Sequence, residues 1–365
     1  MRWLLVTLAL AAGGLCVADA ARGSYLEADA EPGRPPPPVR PLPRPVPTPD
    51  NPLTRVVRRV RVRPGHTSDG LTVFQVEMDV CEDSTPYHSM NEALASGDLE
   101  VRERGAGSVP ALQARNNGPH SVLLLAGEIV AGGKQNRVLQ TDLLLRPKSG
   151  WAELPVLCVE QGRWDGPKEF GASPSVATLS IRAGAQTGLD QHGVWEEVRR
   201  SSRELGGASA TEDLQALQQL PEIQEALRRH REEFGEHWSP RAVGMVVARW
   251  GRIVGADVFC NPDVFEKHRD RLLESYAVDS QVWKRRHPEA LHGAIGPHPD
   301  EAERFLRRVL RASYRESDAA GGGRTATVAG PGVRGTGLVF CGALLHAALF
   351  PEDTPVVRPA GQLRE

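Results

Sequence analysis

The chain lacks an excess of charge of either sign. Its 44 lysines and arginines face 46 aspartates and glutamates, a formal net charge of −2 over 365 residues. Binding to nucleic acid by counterion release needs a basic face, so nucleic acid is not an expected partner. Cysteine is sparse, at five residues, and none forms a CxxC pair that would encode a zinc knuckle or a redox dithiol. No GxSxG elbow is present, which removes the commonest serine-hydrolase nucleophile. Beyond the N-terminus no apolar run approaches the ~20 residues that a membrane span requires.

Two glycine motifs also fail on inspection. In Gly127–Lys134, GEIVAGGK, the glycine spacing is wrong for a phosphate loop, and Gln135 stands where a magnesium-binding hydroxyl is needed. Gly330–Gly335, GPGVRG, matches a dinucleotide fingerprint literally, but a strand follows where a helix must open. The first is rejected as a phosphate loop, and the second is read as a turn.

What the chain does contain begins with MRWLLVTLALAAGGLCVADA, a basic start, a short apolar run and small residues at Ala18 and Ala20. This pattern predicts a signal peptide over residues 1–20, cleavage after Ala20 and export to the periplasm or the extracellular space, with no transmembrane segment in the mature chain. Residues 21–54 form a proline-rich linker: Pro32–Pro52 alone holds 11 of the 29 prolines, with three arginines. Such a stretch favours polyproline II and reads as a disordered spacer, or as a contact to envelope components through its arginines.

From Arg55 the pattern becomes β-rich. VVRRVRVR and LTVFQVEMDV alternate at period two, and further apolar runs follow between turn signals at Asn116–Pro119 and Pro147–Gly150. Helical spacing then takes over in 193–205, 212–220, 222–234, 262–276 and 300–314, with Asn261-Pro262 as a helix start. A tight hairpin in VGMVVARWGRIVGADVF and two or three late strands in RTATVAGPGVRGTGLVFCGALLHAALF complete the pattern. The expected architecture is α+β, a mainly antiparallel sheet system (sandwich or partly closed barrel) with inserted helices. It forms one domain over 55–352, and 353–365 is a tail.

The candidate site comes from two polar clusters that interrupt apolar strands. In ELPVLCVEQGRW, parity places Leu154, Val156, Cys158 and Glu160 on one face and Pro155, Leu157, Val159 and Gln161 on the other. Both faces are apolar, so the strand is central and Glu160 leaves it from a buried face, where a carboxylate needs a cation, a proton or a cavity. Arg163, Lys134 and Arg137 are the nearest cations by pattern. The residues admit two readings, a buried ion-pair network that fixes register, or a polar pocket. In the pocket, Glu128 and Glu160 accept, Lys134, Arg137 and Arg163 donate, Gln135, Asn136 and Gln161 orient, and Trp164 stacks.

Other candidates have weaker patterns. His230, Glu233 and His237 share a helical face but sit among charges, as expected of a solvated face, and His287, His292 and His298 crowd a loop without ligand spacing. No metal-ligand set is assigned, and the sequence leaves metal status and cofactor unknown. His346, in GALLHAALF, reads as a satisfied core histidine. Cys158 and Cys341 read as small buried hydrophobes, and the sequence leaves the disulfide state of Cys81, Cys158, Cys260 and Cys341 open.

At GEIVAGGKQNR, LPVLCVEQGRW, GRIVGADVF with NPDVFEKHRDRLLESYA, and LVFCGALLHAALFP, the sequence resembles the ARG and rhodanese-phosphatase-superfamily-associated protein (ARPP) domain, an uncharacterised family. The resemblance runs from about Arg55 to Pro351 and implies an association with ADP-ribose-linked and phosphatase-type genes, with no residue role to carry over. Three functions are therefore open: a binding or sensing domain for a small anionic or sugar-nucleotide-like ligand, a hydrolase of a nucleotide-sugar or phosphate ester using Glu160 or Glu128 as general acid or base, and a structural envelope protein.

Overall fold

The computed structural model describes residues 50–104, 111–163, 166–167, 169–207, 211–235, 237–291 and 296–354. The signal-peptide reading, nearly all of the proline linker, Trp164, His292 and most of the tail lie outside these residues.

The first element is a helix where period-two alternation predicts a strand. Asn51 accepts the Thr54 amide at 2.9 Å, Thr54 returns the contact to the Asn51 amide at 3.0 Å, and Pro52 fills the first position of α1 (Pro52–Arg59). Leu53, Val56 and Val57 form its buried stripe, so the apolar residues also satisfied a helical period, and the capping box decided between them. Only Arg61–Val62 (β1) remains extended.

The next strands are β2 (His66–Ser68), β3 (Leu71–Glu77) and β4 (His88–Ser89), followed by α2 (Met90–Ala95). Then come β5 (Leu99–Glu103), β6 (Ala111–Asn116), β7 (Val122–Leu124), β8 (Glu128–Gly132), β9 (Arg137–Leu139), β10 (Leu143–Leu145), β11 (Ala152–Cys158) and β12 (Phe170–Val176). The helical middle holds α3 (Leu179–Gln186), α4 (Gln191–Leu205), α5 (Leu214–Gln218) and α6 (Pro221–Gly235). The chain closes with β13 (Ala242–Arg249), β14 (Arg252–Phe259), α7 (Pro262–Arg286), α8 (Pro299–Arg307), β15 (Ser313–Asp318), β16 (Arg324–Gly330), β17 (Val333–Phe340) and β18 (Ala343–Phe350).

These strands build an α+β architecture of antiparallel sheets. Nine strands form the large sheet, in the order β1-β3-β13-β14-β18-β17-β16-β15 with β2 also on β3. Six form a nearly closed barrel, β12-β8-β9-β11-β6-β5. A small sheet, β10-β7-β4, contains the parallel pair β4–β7. As parity requires, β11 is internal, flanked by β9 and β6, and Leu154, Val156 and Cys158 are buried.

Asn261 caps α7 through the Val264 amide at 2.9 Å with Pro262 behind it, but the helix continues ten residues past Tyr276 to Arg286. The helix expected over 300–314 instead stops at Arg307, passes through a short 3-10 turn and yields β15. Two further expectations are corrected. Cys341 is exposed, because Cys341-Gly342 is the turn of the β17–β18 hairpin, with φ of 49° and 78°. His230 is 1% exposed and stacks on Phe234, so its side of α6 faces the core although Glu233 and His237 face water.

Candidate functional site

The two polar clusters of the sequence meet only in part. The β8–β9 turn and the segment after β11 form a clasp: Glu160 accepts Arg163 Nε at 2.7 Å and the Asn136 amide at 3.3 Å. Arg163 also donates to the Gly133 carbonyl at 2.9 Å and to Asn136 Oδ1 at 3.0 Å, while Gln135 donates to the Gln161 carbonyl at 3.3 Å. The Lys134 amide donates to Glu103 at the end of β5, and Arg137 is buried in β9 beside Cys158. Glu160 thus has its cation, Arg163, and the hydrogen bonds join turn to turn.

Glu128 points elsewhere, into a sealed charged network beneath the large sheet. Its Oε2 accepts the Leu125 amide at 2.8 Å and its Oε1 lies 3.8 Å from His268 Nδ1. Burial pushes its carboxyl up to about 6 against the pull of Arg271 and that amide. Beside it His346 Nδ1 is 2.7 Å from Asp142 and Nε2 is 3.2 Å from Asp257. Asp257 also accepts Arg182 Nη2 at 2.5 Å and the Tyr276 hydroxyl at 2.8 Å.

Charge balance explains why such a network survives inside a core. Burial alone would depress the His346 imidazole, but Asp142 and Asp257 outweigh it and hold it up to about 9. Burial would likewise raise Asp257, yet Arg182 and His346 bring its carboxyl down to about 2. Two carboxylates therefore face one imidazolium and one guanidinium. Gly127 is needed for this packing: its φ is +93°, and a Cβ there would lie 2.3 Å from Arg182 Cγ. Of these residues, only Glu128 and His346 were singled out by sequence. Asp142, Arg182, Asp257, His268 and Tyr276 are single polar residues in apolar surroundings, and a carboxylate in the strand GADVF was the one available signal.

A third arrangement was not legible at all. At the tip of the β13–β14 hairpin Trp250-Gly251 turns with φ of 48° and 82°, which places Arg249 and Arg252 directly opposite each other. Like charges at paired positions cost stability. Arg200 of α4 and Arg286 at the end of α7 come to the same place, and the four arginines border a cavity of about 250 Å³.

Each guanidinium is tethered from one side. Arg249 pairs with Asp279 and Arg200 with Glu197, while Arg252 is 3.0 Å from Asp353. Arg286 Nε lies 3.2 Å from Glu204 as an ion pair without hydrogen-bond geometry. Arg286 Nη2 and Arg200 Nε are buried and have no hydrogen-bond partner among the described residues. Burial, then the Arg286 and Arg252 charges, pull Arg249 below the ordinary guanidinium range against Asp279, and burial with Arg286 does the same to Arg200. The cations repel one another around a common space. Among the described residues no group of three or more His, Cys, Asp or Glu side chains is placed to hold a metal ion, and no helix is long and apolar enough to cross a membrane.

No curated protein and no solved structure matches this chain. Residues 59–350, however, match the model of the ARPP-1 domain, the ARG and Rhodanese-Phosphatase-superfamily-associated Protein domain. That span runs from the end of α1 to the last residue of β18, and so takes in the barrel, the large sheet, the sealed network and the four arginines of the cavity. The chain belongs to the ARPP-1 domain family.

Proposed function

We propose that this protein is a binding or sensing domain that holds a small anionic ligand, of the kind carried by phosphorylated sugars and nucleotides, in the arginine-lined cavity. The observation that carries the reading is the convergence of Arg200, Arg249, Arg252 and Arg286 on one space, with buried donors of Arg200 and Arg286 unpartnered among the described residues. An anion there would relieve the repulsion among the cations and satisfy those donors, with the fork geometry suited to carboxylate or phosphate. At about 250 Å³ the cavity stands just below the ~300–1,000 Å³ of ordinary ligand sites, which favours a small molecule.

A hydrolytic reading with Glu128 or Glu160 as general acid or base has less support. Glu128 is raised to about 6 but is 3% exposed, and Glu160 is engaged by Arg163 and Asn136. The clasp instead supports a structural role for Glu160, Gln161 and Arg163.

Thermal unfolding against a panel of phosphate, nucleotides, ADP-ribose and sugars tests the binding reading. A true ligand at a hundredfold excess over its dissociation constant stabilises the native state by ~2.7 kcal/mol. The rise in Tm is expected to vanish in Arg286→Gln, and a panel that moves no Tm would rule against the cavity as a site. The N-terminal segment supports export as part of the same proposal. Sequencing of the secreted chain is expected to start at Ala21, and a chain that keeps Met1 and stays inside the cell would refute it.

A further inference from the structure

We infer that the ligand of this cavity is an amphiphilic anion, one anionic group carried on a flat apolar ring, and not a bare inorganic anion or a ligand with two anionic groups. The inference rests on the cavity being the binding site and adds the class of molecule it selects.

The lining is divided in character. Arg200, Arg286 and Arg249 supply cationic groups, while Leu179, Val254 and Trp283 supply apolar surface in the same small space. An inorganic oxyanion has the bulk of about two or three waters. It would pair with the arginines and leave the apolar surface wet. A ring attached to the anion removes that surface from water at ~25 cal/mol per Å².

The indole of Trp283 is held for such a role. Trp250 stacks beside it at 6.0 Å between centroids, His287 lies at 4.6 Å, and Arg249 Cζ is 5.3 Å from its ring centroid. A fixed aromatic edge beside cations is the arrangement that grips a planar anion at low entropic cost.

Asp279 limits the charge of the ligand. Its carboxylate accepts the Ser180 amide in the first turn of α3 at 3.3 Å and pairs with Arg249, so the lining already carries a negative group. A second ligand anion would meet Asp279 or Asp353, the two carboxylates of the lining, while the first takes the donors of Arg200 and Arg286 that have no partner among the described residues.

Isothermal titration of the full chain with four probes tests this: inorganic phosphate, 1-naphthyl phosphate, 1-naphthol and pyrophosphate. Naphthyl phosphate is expected to bind at least tenfold more tightly than each of the others, and Trp283→Ala to remove that margin while leaving phosphate within about twofold. Asp279→Asn is expected to narrow the gap between pyrophosphate and phosphate. If Trp283→Ala fails to fold, the ranking of the four probes on the unmodified chain decides alone. Phosphate equal to naphthyl phosphate, both lost in Arg286→Gln, would overturn the amphiphile and leave the anion site standing. Naphthol equal to naphthyl phosphate, or no probe sensitive to Arg286→Gln, would overturn both.

Discussion

His346 and Asp257 are diagonal neighbours on one face of the β14–β18 pair, with Nε2 3.2 Å from Oδ1 and neither residue exposed to water. The opposite imidazole nitrogen meets Asp142, from the turn between β9 and β10. One side chain therefore joins the large sheet to the strands of the other β system, which gives its removal a definite cost.

His346→Leu takes the cationic partner from Asp142, which keeps only the Ala126 amide among the described residues, and one of two cations from Asp257, which keeps Arg182 and Tyr276. Breaking a buried charged contact by deleting one partner costs ~3–5 kcal/mol. Denaturant unfolding of His346→Leu is expected to show a loss of this size with the m-value retained, and a loss below ~1 kcal/mol would show that the network does not hold the core.

The same residue sets a pH dependence. Its folded pKa of about 9 lies above the ordinary 6.5, so the folded state binds the proton more tightly. Its contribution is fully present below pH 6.5 and is lost as pH rises through 9, with a slope of at most about 1.4 kcal/mol per pH unit. Asp142, Asp257, Arg182, His268 and Glu128 surround it. Unfolding free energies measured from pH 6.5 to 9 should fall in the wild type, and the fall should flatten in His346→Gln.

Arg163 and Arg286 should separate stability from binding. Arg163→Ala removes hydrogen bonds to Glu160, Gly133 and Asn136, and contacts to a charged group are worth ~1.5–3 kcal/mol. It is expected to lower Tm while the affinity for an anionic ligand stays within about twofold. Arg286→Gln should do the reverse. If Arg163→Ala abolished binding at unchanged Tm, the clasp would be the ligand site.

The cysteines should differ in reactivity. Cys341 is exposed in its turn, whereas burial pushes the Cys158 thiol up to about 11 and raises Cys260 further from the thiolate. Brief maleimide labelling of the native chain, read by mass spectrometry, should modify Cys341 first and leave Cys158 and Cys260 intact until denaturant is added. Early modification of Cys158 would contradict its place in β11.

Local signals carried most of the fold. The Trp250-Gly251 turn, the Asn261-Pro262 cap and the parity of β11 each act over a few residues, and each reads directly from the chain. The helix over Pro52–Arg59 was missed because its stripe also fits period two, and α3 because LSIRAGAQ offers small residues with no capping hydrogen bond from Thr178. Pairing of Glu160 with Arg163 was legible for the same local reason, at three residues' separation. The arginine cavity was not, since Arg200, Arg249 and Arg286 lie on three elements and each alone resembles a surface charge.

The large sheet is assembled from both ends of the domain: β3 pairs with β13, and the entire barrel is encoded between them. During synthesis at ~5–20 residues per second, roughly 165 residues must emerge after β3 before its partner does, a wait on the order of ten to thirty seconds. Through that interval Leu71, Val73, Phe74 and Val76, all buried in the finished protein, belong to a strand that β1 and β2 can pair on one edge while the other edge stays open. Shielding the open edge of β3 until the ribosome delivers β13 is therefore a demand that this topology places on its own synthesis.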